Sequence, residues 1–227
     1  MSGSRTPADT DRVLHRRGAW WVAGCAAVVV TTLAVLIVRA WPPLLVLDVR
    51  IDTAIHAWAL RTPWAVSASN GLQTMGNFRF AVWVVAATTV LLLLARRWWQ
   101  ALTLVLVAAL APLITDWIKP VVGRARPVWE QSLGTEPTLS YPSGHATCGI
   151  AVYAACGVAI GSLLRSPDLG AVVALVGILV GVAMGLSRLV LGVHWPSDVV
   201  GGFAVAFAVA AALSALLVLP TSSPRPK

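Results

Sequence analysis

The chain alternates long apolar runs with short polar breaks, and most runs have the length of a membrane span. Crossing the ~30 Å hydrocarbon core of a bilayer takes roughly 20 helical residues. This pattern predicts six membrane-spanning helices, over residues 19–40, 80–95, 98–117, 145–164, 169–186 and 197–219. The first run lacks a small-residue cleavage site, which favours a retained helix over a signal peptide. The predicted fold class is therefore all-α, a polytopic membrane protein built as a six-transmembrane-helix bundle.

Polar segments flank this single membrane-embedded domain, which covers residues 19–219. Residues 1–18 are predicted to form a disordered cytoplasmic tail with a basic end, and residues 220–227 form a second short polar tail. In the fifth run, glycines recur every four residues at Gly177, Gly181 and Gly185. This spacing predicts a ridge on which a neighbouring helix packs closely.

The mixed segment 41–78 predicts a short amphipathic helix lying at the membrane interface. Its apolar positions recur at helical spacing, at Leu47, Ile51, Ile55 and Trp58. Asp48 and Asp52 then fall together on one face of this helix. The favoured interpretation of both carboxylates, and of His56, is a solvated helix face, and a two-carboxylate metal site is the alternative.

Composition supports an integral membrane protein, since 58% of the 227 residues are hydrophobic and only 11% are charged. The net charge of +8 does not indicate nucleic-acid binding, because the basic residues lie at the ends of apolar runs and not in one patch. With six spans both termini share one side. Several basic residues fall on that side: Arg12, Arg16, Arg17, Arg96, Arg97, Arg165, Arg225 and Lys227. The positive-inside rule makes it cytoplasmic.

Three breaks between apolar runs carry most of the chemically useful side chains, and all three fall on the opposite, outer side. They read Lys119-x6-Arg126-Pro127, then Pro142-Ser143-Gly144-His145, then Ser187-Arg188-x5-His194-x3-Asp198. The second opens an apolar run, so its serine is a natural N-cap and its backbone N–H groups form an anion site. Asp198, four residues after His194, can hydrogen-bond one imidazole nitrogen and hold the other toward a substrate.

At these residues the chain resembles the type 2 phosphatidic acid phosphatase family, the lipid phosphate phosphatases related to vanadium haloperoxidases. All three family motifs are present, over residues 119–198, without a departure at any motif position. The resemblance implies that His194 attacks phosphorus and forms a phosphohistidine. It also implies that His145 protonates the leaving oxygen and then helps water to hydrolyse the intermediate, while Asp198 orients His194.

A transferring phosphoryl group needs fixed positive charge and N–H donors around its oxygens. Lys119, Arg126 and Arg188 suit that task, and Ser143 and Gly144 can complete the phosphate cradle. No carboxylate cluster suited to magnesium or zinc stands out, so we expect neither metal nor cofactor. Asp116 has two interpretations: it orients Lys119, or it balances charge at the helix end.

The leading hypothesis is a membrane phosphatase that removes the terminal phosphate of a lipid phosphate or pyrophosphate at the outer leaflet. A lipid phosphotransferase using the same site is the first alternative, and a non-catalytic lipid or anion transporter is the second. Phosphatidic acid, phosphatidylglycerol phosphate and polyprenyl pyrophosphate are equally compatible with the motifs. The expected partners are the lipid substrate and the bilayer, and the sequence leaves the oligomeric state open.

Overall fold

The structure is a computed structural model that describes residues 7–217, with side chains from residue 13 onward. The predicted tail 220–227, with Arg225 and Lys227, lies outside the described residues, as do residues 1–6 and the side chain of Arg12. The regular elements between these limits are helical: α1 (Pro7–Val38), α2 (Pro42–Ala59), α3 (Pro63–Met75), α4 (Phe78–Leu94), α5 (Trp98–Val122), α6 (Gly144–Cys148), a π-helical turn (Gly149–Ala154), α7 (Ala155–Gly161), α8 (Pro167–Val190) and α9 (Pro196–Leu217).

The predicted six-span helical bundle is confirmed, with one span divided. Five stretches are long and apolar enough to cross a membrane: Val13–Val38, α5, Gly144–Gly161, α8 and α9. The third of these runs through α6, the π-helical turn and α7 without interruption. The sixth is the pair α3 and α4, whose axes differ by 62° at the break around Gly76 and Asn77. The short predicted span 80–95 is therefore completed by residues before Phe80.

The first helix begins earlier than the sequence pattern predicts. Residues 7–18, assigned above to a disordered tail, continue the helix of the first span from Pro7. Once a long helix exists, each added residue gains a hydrogen bond without a new nucleation cost, and proline is well suited to the first helical position. The start of α1 lies beside the end of α9, where His15 and Ser214 are 3.2 Å apart.

Helix α2 has the reverse orientation to the one expected. Asp48, Asp52 and His56 face inward and are 2%, 0% and 5% exposed, whereas Leu47 and Trp58 point outward. The prediction of a solvated carboxylate face is therefore wrong. The physical reason is a buried arginine, described below, which makes the interior of the protein the better environment for Asp48.

The glycine ridge of α8 packs against the span formed by α6 and α7, as predicted. A Cβ at Gly177 would stand 2.8 Å from the Cα of Gly157, and one at Gly181 would collide with the carbonyl of Gly149. Backbone therefore meets backbone at these glycines, with no side chain between them. Since the second and third motifs lie at the ends of these two helices, their separation is set by this contact.

We expect Gly181→Ala to destabilise the protein, because the added methyl group meets backbone that cannot move independently. Overpacking of this kind typically costs about 1–3 kcal/mol. The matched control is Gly24→Ala in α1, where an added Cβ meets nothing within 4 Å. Thermal unfolding in detergent should show a lower Tm for Gly181→Ala only. Equal melting temperatures for the two variants would contradict this account of the ridge.

Candidate active site

The three motifs converge at one end of the bundle, because the helices that carry them alternate in direction. Lys119 lies in the last turn of α5 and His145 in the first turn of α6. Arg188 lies in the last turn of α8 and Asp198 in the first turn of α9. Connecting segments supply the remaining residues, Arg126 between α5 and α6 and His194 between α8 and α9. The predicted site residues thus form one cluster.

Lys119 and Arg126 are held by the same short piece of backbone. The Lys119 ammonium donates to Thr138 Oγ1 and to the Leu139 carbonyl, both at 3.1 Å. The Arg126 guanidinium donates to the Thr138 carbonyl at 2.6 Å and to the Leu139 carbonyl at 3.2 Å. These acceptors are neutral, so the hydrogen bonds fix both cations without neutralising them.

The contacts of His194 assign its tautomer. Arg126 NH1 lies 2.9 Å from Nε2 of His194, and a guanidinium can only donate, so Nε2 is the acceptor. The ring proton is then on Nδ1, which lies 3.4 Å from Asp198 Oδ2. The lone pair on Nε2 therefore points toward the cations, as a nucleophilic imidazole requires.

Burial keeps this imidazole neutral. His194 is 1% exposed, and loss of solvation lowers its pKa to about 4, although contact with Asp198 opposes that shift. Arg126 and Arg188 act in the same direction as burial, since each disfavours a further positive charge nearby. At neutral pH the free nitrogen is consequently unprotonated.

Asp198 is held by hydrogen bonds to both of its carboxylate oxygens. Its Oδ2 accepts from the Ser140 hydroxyl and, at 2.9 Å, from the Trp195 backbone N–H, in addition to facing His194. Its Oδ1 accepts from Arg124 NH1 at 2.6 Å. The backbone carbonyl of Asp198 accepts from the N–H of Ser143 at 3.0 Å, which joins the third motif to the second.

The second motif forms a capped helix start. Ser143 is the N-cap of α6, as predicted, and its hydroxyl accepts from the Ala146 N–H at 3.4 Å. That hydroxyl is fully buried, so its observed role is to cap the helix. A Cβ built at Gly144 would meet nothing within 4 Å, which leaves open space above the N-terminal N–H groups.

His145 lies between a glycine and a carboxylate. One edge of its ring packs on Gly76, where an added Cβ would stand 2.7 Å from Nε2. On the other edge, Nδ1 lies 3.9 Å from Glu136 Oε1. The sequence did not indicate Gly76 or Glu136, since neither belongs to a motif.

Arg188 is fully buried and is held from two sides. Its NH2 donates to Glu136 Oε1 at 2.6 Å, and its NH1 donates to Gln73 Oε1 at 2.9 Å. Glu136 therefore pairs with Arg188, a cation that the sequence analysis assigned to the phosphate. The pairing shows that Arg188 attracts an anion at this position.

Arg124 is the principal residue that the sequence analysis missed. It stands among the six intervening positions of the first motif, follows Gly123, whose positive φ ends α5, and is 9% exposed. It donates to Asp198 and, through NH2 at 2.6 Å, to Asp48 Oδ2. No local sign of this role is present in the sequence, because Arg124 stands at a position that the motif leaves open.

The structure shows the surroundings of two remaining carboxylates, Asp48 and Asp116. Asp48 is bonded to Arg124 and Ser197, so it is not free to bind a metal. In the part of the chain that the structure describes, no three His, Cys, Asp or Glu side chains form a group that could hold a metal ion. Asp116 is exposed, and Lys119 is held by Thr138 and Leu139 instead.

Comparisons with known proteins point to one family. A family model described as the PAP2 superfamily matches residues 100–219. Phosphatidylglycerophosphatase B of Bacillus subtilis (strain 168) is 30% identical over 68% of this chain and 77% of its own length. Decaprenylphosphoryl-5-phosphoribose phosphatase of Mycolicibacterium smegmatis is 32% identical over 66% of this chain and 77% of its own. The Mycobacterium tuberculosis protein of that name is 31% identical over 72% and 87%.

A solved structure shares the fold. The transmembrane PAP2 type phosphatidylglycerolphosphate phosphatase from Bacillus subtilis superposes with a TM-score of 0.71 at 25% identity, covering 83% of this chain and 92% of that one. The chain therefore belongs to the PAP2 superfamily. Fold, site and relatives together define a multi-pass membrane phosphatase.

Proposed function

We propose that this phosphatase hydrolyses the terminal phosphate of a lipid phosphate or pyrophosphate through a phosphohistidine on His194. The observation that carries the proposal is the orientation of that imidazole, with Nδ1 toward Asp198 and the Nε2 lone pair toward Arg126. Such an arrangement suits a nucleophile and not a general base, since Nε2 faces the group that would bind phosphate oxygens.

The first step forms a bond between His194 Nε2 and phosphorus and breaks the bond from phosphorus to the lipid oxygen. His145 gives its proton to that oxygen as it leaves. Lys119, Arg126 and Arg188 balance the charge on the phosphoryl oxygens, and the open N–H groups at Gly144 add neutral donors. When substrate binds, the Arg126 N–H that donates to His194 Nε2 changes its hydrogen-bond partner and donates to a phosphate oxygen.

The second step releases the phosphate. Water attacks phosphorus on the side opposite Nε2, the phosphorus–nitrogen bond breaks, and His145 takes one proton from the water. The products are inorganic phosphate and neutral His194, ready for another turnover. Three fixed cations can provide the charge stabilisation for which other phosphatases use metal ions, so we propose that the reaction is metal-independent.

The relatives support a lipid substrate without choosing one. Phosphatidylglycerophosphatase B and decaprenylphosphoryl-5-phosphoribose phosphatase are named for phosphates on two different lipid types. Glu136, which forms an ion pair with Arg188 beside His145, is the residue through which this chain would distinguish head groups.

Purified protein should release inorganic phosphate from at least one of phosphatidic acid, phosphatidylglycerol phosphate and a polyprenyl pyrophosphate, measured in mixed micelles. The activity should survive a strong chelator with no divalent ion added. Loss on chelation that magnesium restores would contradict the cation-based mechanism. Phosphate that appears on an added alcohol, and not in solution, would instead indicate a phosphotransferase.

Substrates with different leaving groups should distinguish the roles of His194 and His145. His194→Ala should abolish turnover of every ester, because no other group attacks phosphorus. His145→Ala should lose much more activity on an alkyl lipid phosphate than on p-nitrophenyl phosphate, since general acid catalysis typically contributes ~10²–10⁴-fold and an acidic alcohol needs it least. The measurement is the ratio of mutant to wild-type rates on both substrates. Equal losses would show that His145 binds phosphate and does not protonate the leaving group.

We also propose that the site faces the outer side of the membrane. Arg96 and Arg97 lie between α4 and α5, and Arg165 lies between α7 and α8, at the end of the bundle away from the site. Arg16 and Arg17 lie near the start of α1, which is beside the end of α9 and so also far from the site. The positive-inside rule assigns the arginine-bearing end to the cytoplasm.

In a cysteine-free background, Val128→Cys should be labelled by an impermeant maleimide in intact cells, because Val128 is 93% exposed on the loop beside the site. The matched control, Arg165→Cys, should be labelled only after the membrane is opened. The reverse pattern would place the site in the cytoplasm.

A further inference from the structure

A network of buried charges lies directly behind the attacking histidine and connects α2 to α9. Asp48, Asp198 and Arg124 are 2%, 0% and 9% exposed, respectively. Arg124 NH1 donates to Asp198 Oδ1 and NH2 donates to Asp48 Oδ2, both at 2.6 Å. The guanidinium therefore divides its charge between two carboxylates on different helices.

Asp48 also supports the start of α9. Its Oδ1 accepts from the Ser197 backbone N–H at 2.9 Å, and its Oδ2 accepts from the Ser197 hydroxyl. A carboxylate that binds the first N–H groups of a helix is stabilised by those donors and by the helix dipole. Asp48 thus fixes the turn from which Asp198 projects.

The third carboxylate, Asp52, takes no part in the network. It lies one turn further along α2, is fully buried, and neither of its oxygens has a hydrogen-bond partner. Burial, with Asp198 and Asp48 nearby, raises its pKa to about 7. Burial without partners favours the protonated form of this carboxyl group. Arg124 hydrogen-bonds to the other two carboxylates, Asp48 and Asp198.

We propose that Arg124 and Asp48 are positioning residues that control the charge Asp198 presents to His194. This inference rests on the proposed attack by His194. Arg124 pins Oδ1 and thereby leaves Oδ2 directed at Nδ1 of the imidazole. Asp48 competes for the same guanidinium, so it limits how far Arg124 withdraws negative charge from Asp198. The two residues therefore act on His194 in opposite directions.

Because Arg124 and Asp48 act on His194 in opposite directions, substituting them should shift the pH profile in opposite directions. Loss of structure would not produce that result. The charged and titratable groups around His194 are Asp198 from α9, Arg188 from α8, His145 from α6 and Arg126 from the loop between α5 and α6. With these unchanged, Asp48→Asn leaves Arg124 wholly to Asp198, and the imidazole should become less basic. The acid limb of the pH profile of kcat/KM should move to lower pH. Arg124→Gln removes the withdrawing cation, so that limb should move to higher pH.

Turnover should fall in both variants while substrate binding is retained. Losing an outer partner of a metal-bound histidine typically costs about 10–100-fold in activity, and by analogy we expect kcat on p-nitrophenyl phosphate to fall by that factor. KM should change less than about threefold, since Lys119, Arg126 and Arg188 keep their own contacts. Arg124→Lys should recover little activity, because an ammonium cannot present the two-pronged contact of a guanidinium.

Asp52→Asn is the matched control. It makes the same chemical change on the same helix, one turn away and equally buried, at a carboxyl group that accepts no hydrogen bond. Its kcat and its acid limb should match those of the wild type. Asp48→Asn retains an oxygen that can accept from the Ser197 N–H, and thermal unfolding should show that it folds. If Arg124→Gln alone fails to fold, the double variant Arg124→Gln/Asp48→Asn, which leaves no unpaired charge at position 48, takes its place.

Two outcomes would overturn this inference but not the proposed function. In the first, Asp48→Asn has the same kcat and pH profile as Asp52→Asn. In the second, the loss of activity in Asp48→Asn appears in KM and not in kcat. A wild-type protein that releases no phosphate from either the aryl or the lipid substrates would overturn the proposed function, and the inference with it. An active wild type with limbs displaced in opposite directions supports both.

Discussion

The structure depends on one buried carboxylate, Asp198. A charge taken out of water costs several kcal/mol unless donors replace the lost solvation. Asp198 obtains four donors from two connecting segments: Arg124 and Ser140 between α5 and α6, and His194 and the Trp195 N–H between α8 and α9. Each donor fixes the segment that supplies it. The site is consequently assembled around this anion, and the substrate cations are arranged at its periphery.

The cations divide into two groups by the acceptors that hold them. Arg124 is bonded to two carboxylates, so its charge is neutralised within the protein. Lys119 and Arg126 are held by a hydroxyl and by carbonyls, which orient them but leave their positive charge available. Arg188 is intermediate, since Glu136 is its one carboxylate partner among the described residues. An anionic substrate is therefore attracted by Lys119, Arg126 and Arg188, but not by Arg124.

Much of this could be predicted from the sequence, because it depends on local patterns. Apolar length fixed the spans, and motif spacing identified the residues at their ends, including the Ser143 cap. Two features depend on distant contacts and could not be predicted. Asp48 of α2 turns inward because it pairs with Arg124, which is buried beneath it. Arg124 and Arg126 are chemically identical and two positions apart, so only their acceptors distinguish a structural arginine from a binding one.

The direct backbone contact between α8 and the span of α6 and α7 has a consequence for the environment of the protein. At Gly149, Gly157, Gly177 and Gly181 the two backbones are in direct contact, so no side chain there can compress or rearrange. We therefore expect the two helices to move together, so that a thicker or thinner bilayer would tilt them as a pair. The spacing between His145 and Arg188 should thus remain the same in membranes of different lipid composition, and adaptation to bilayer thickness is left to α1, α3 and α4.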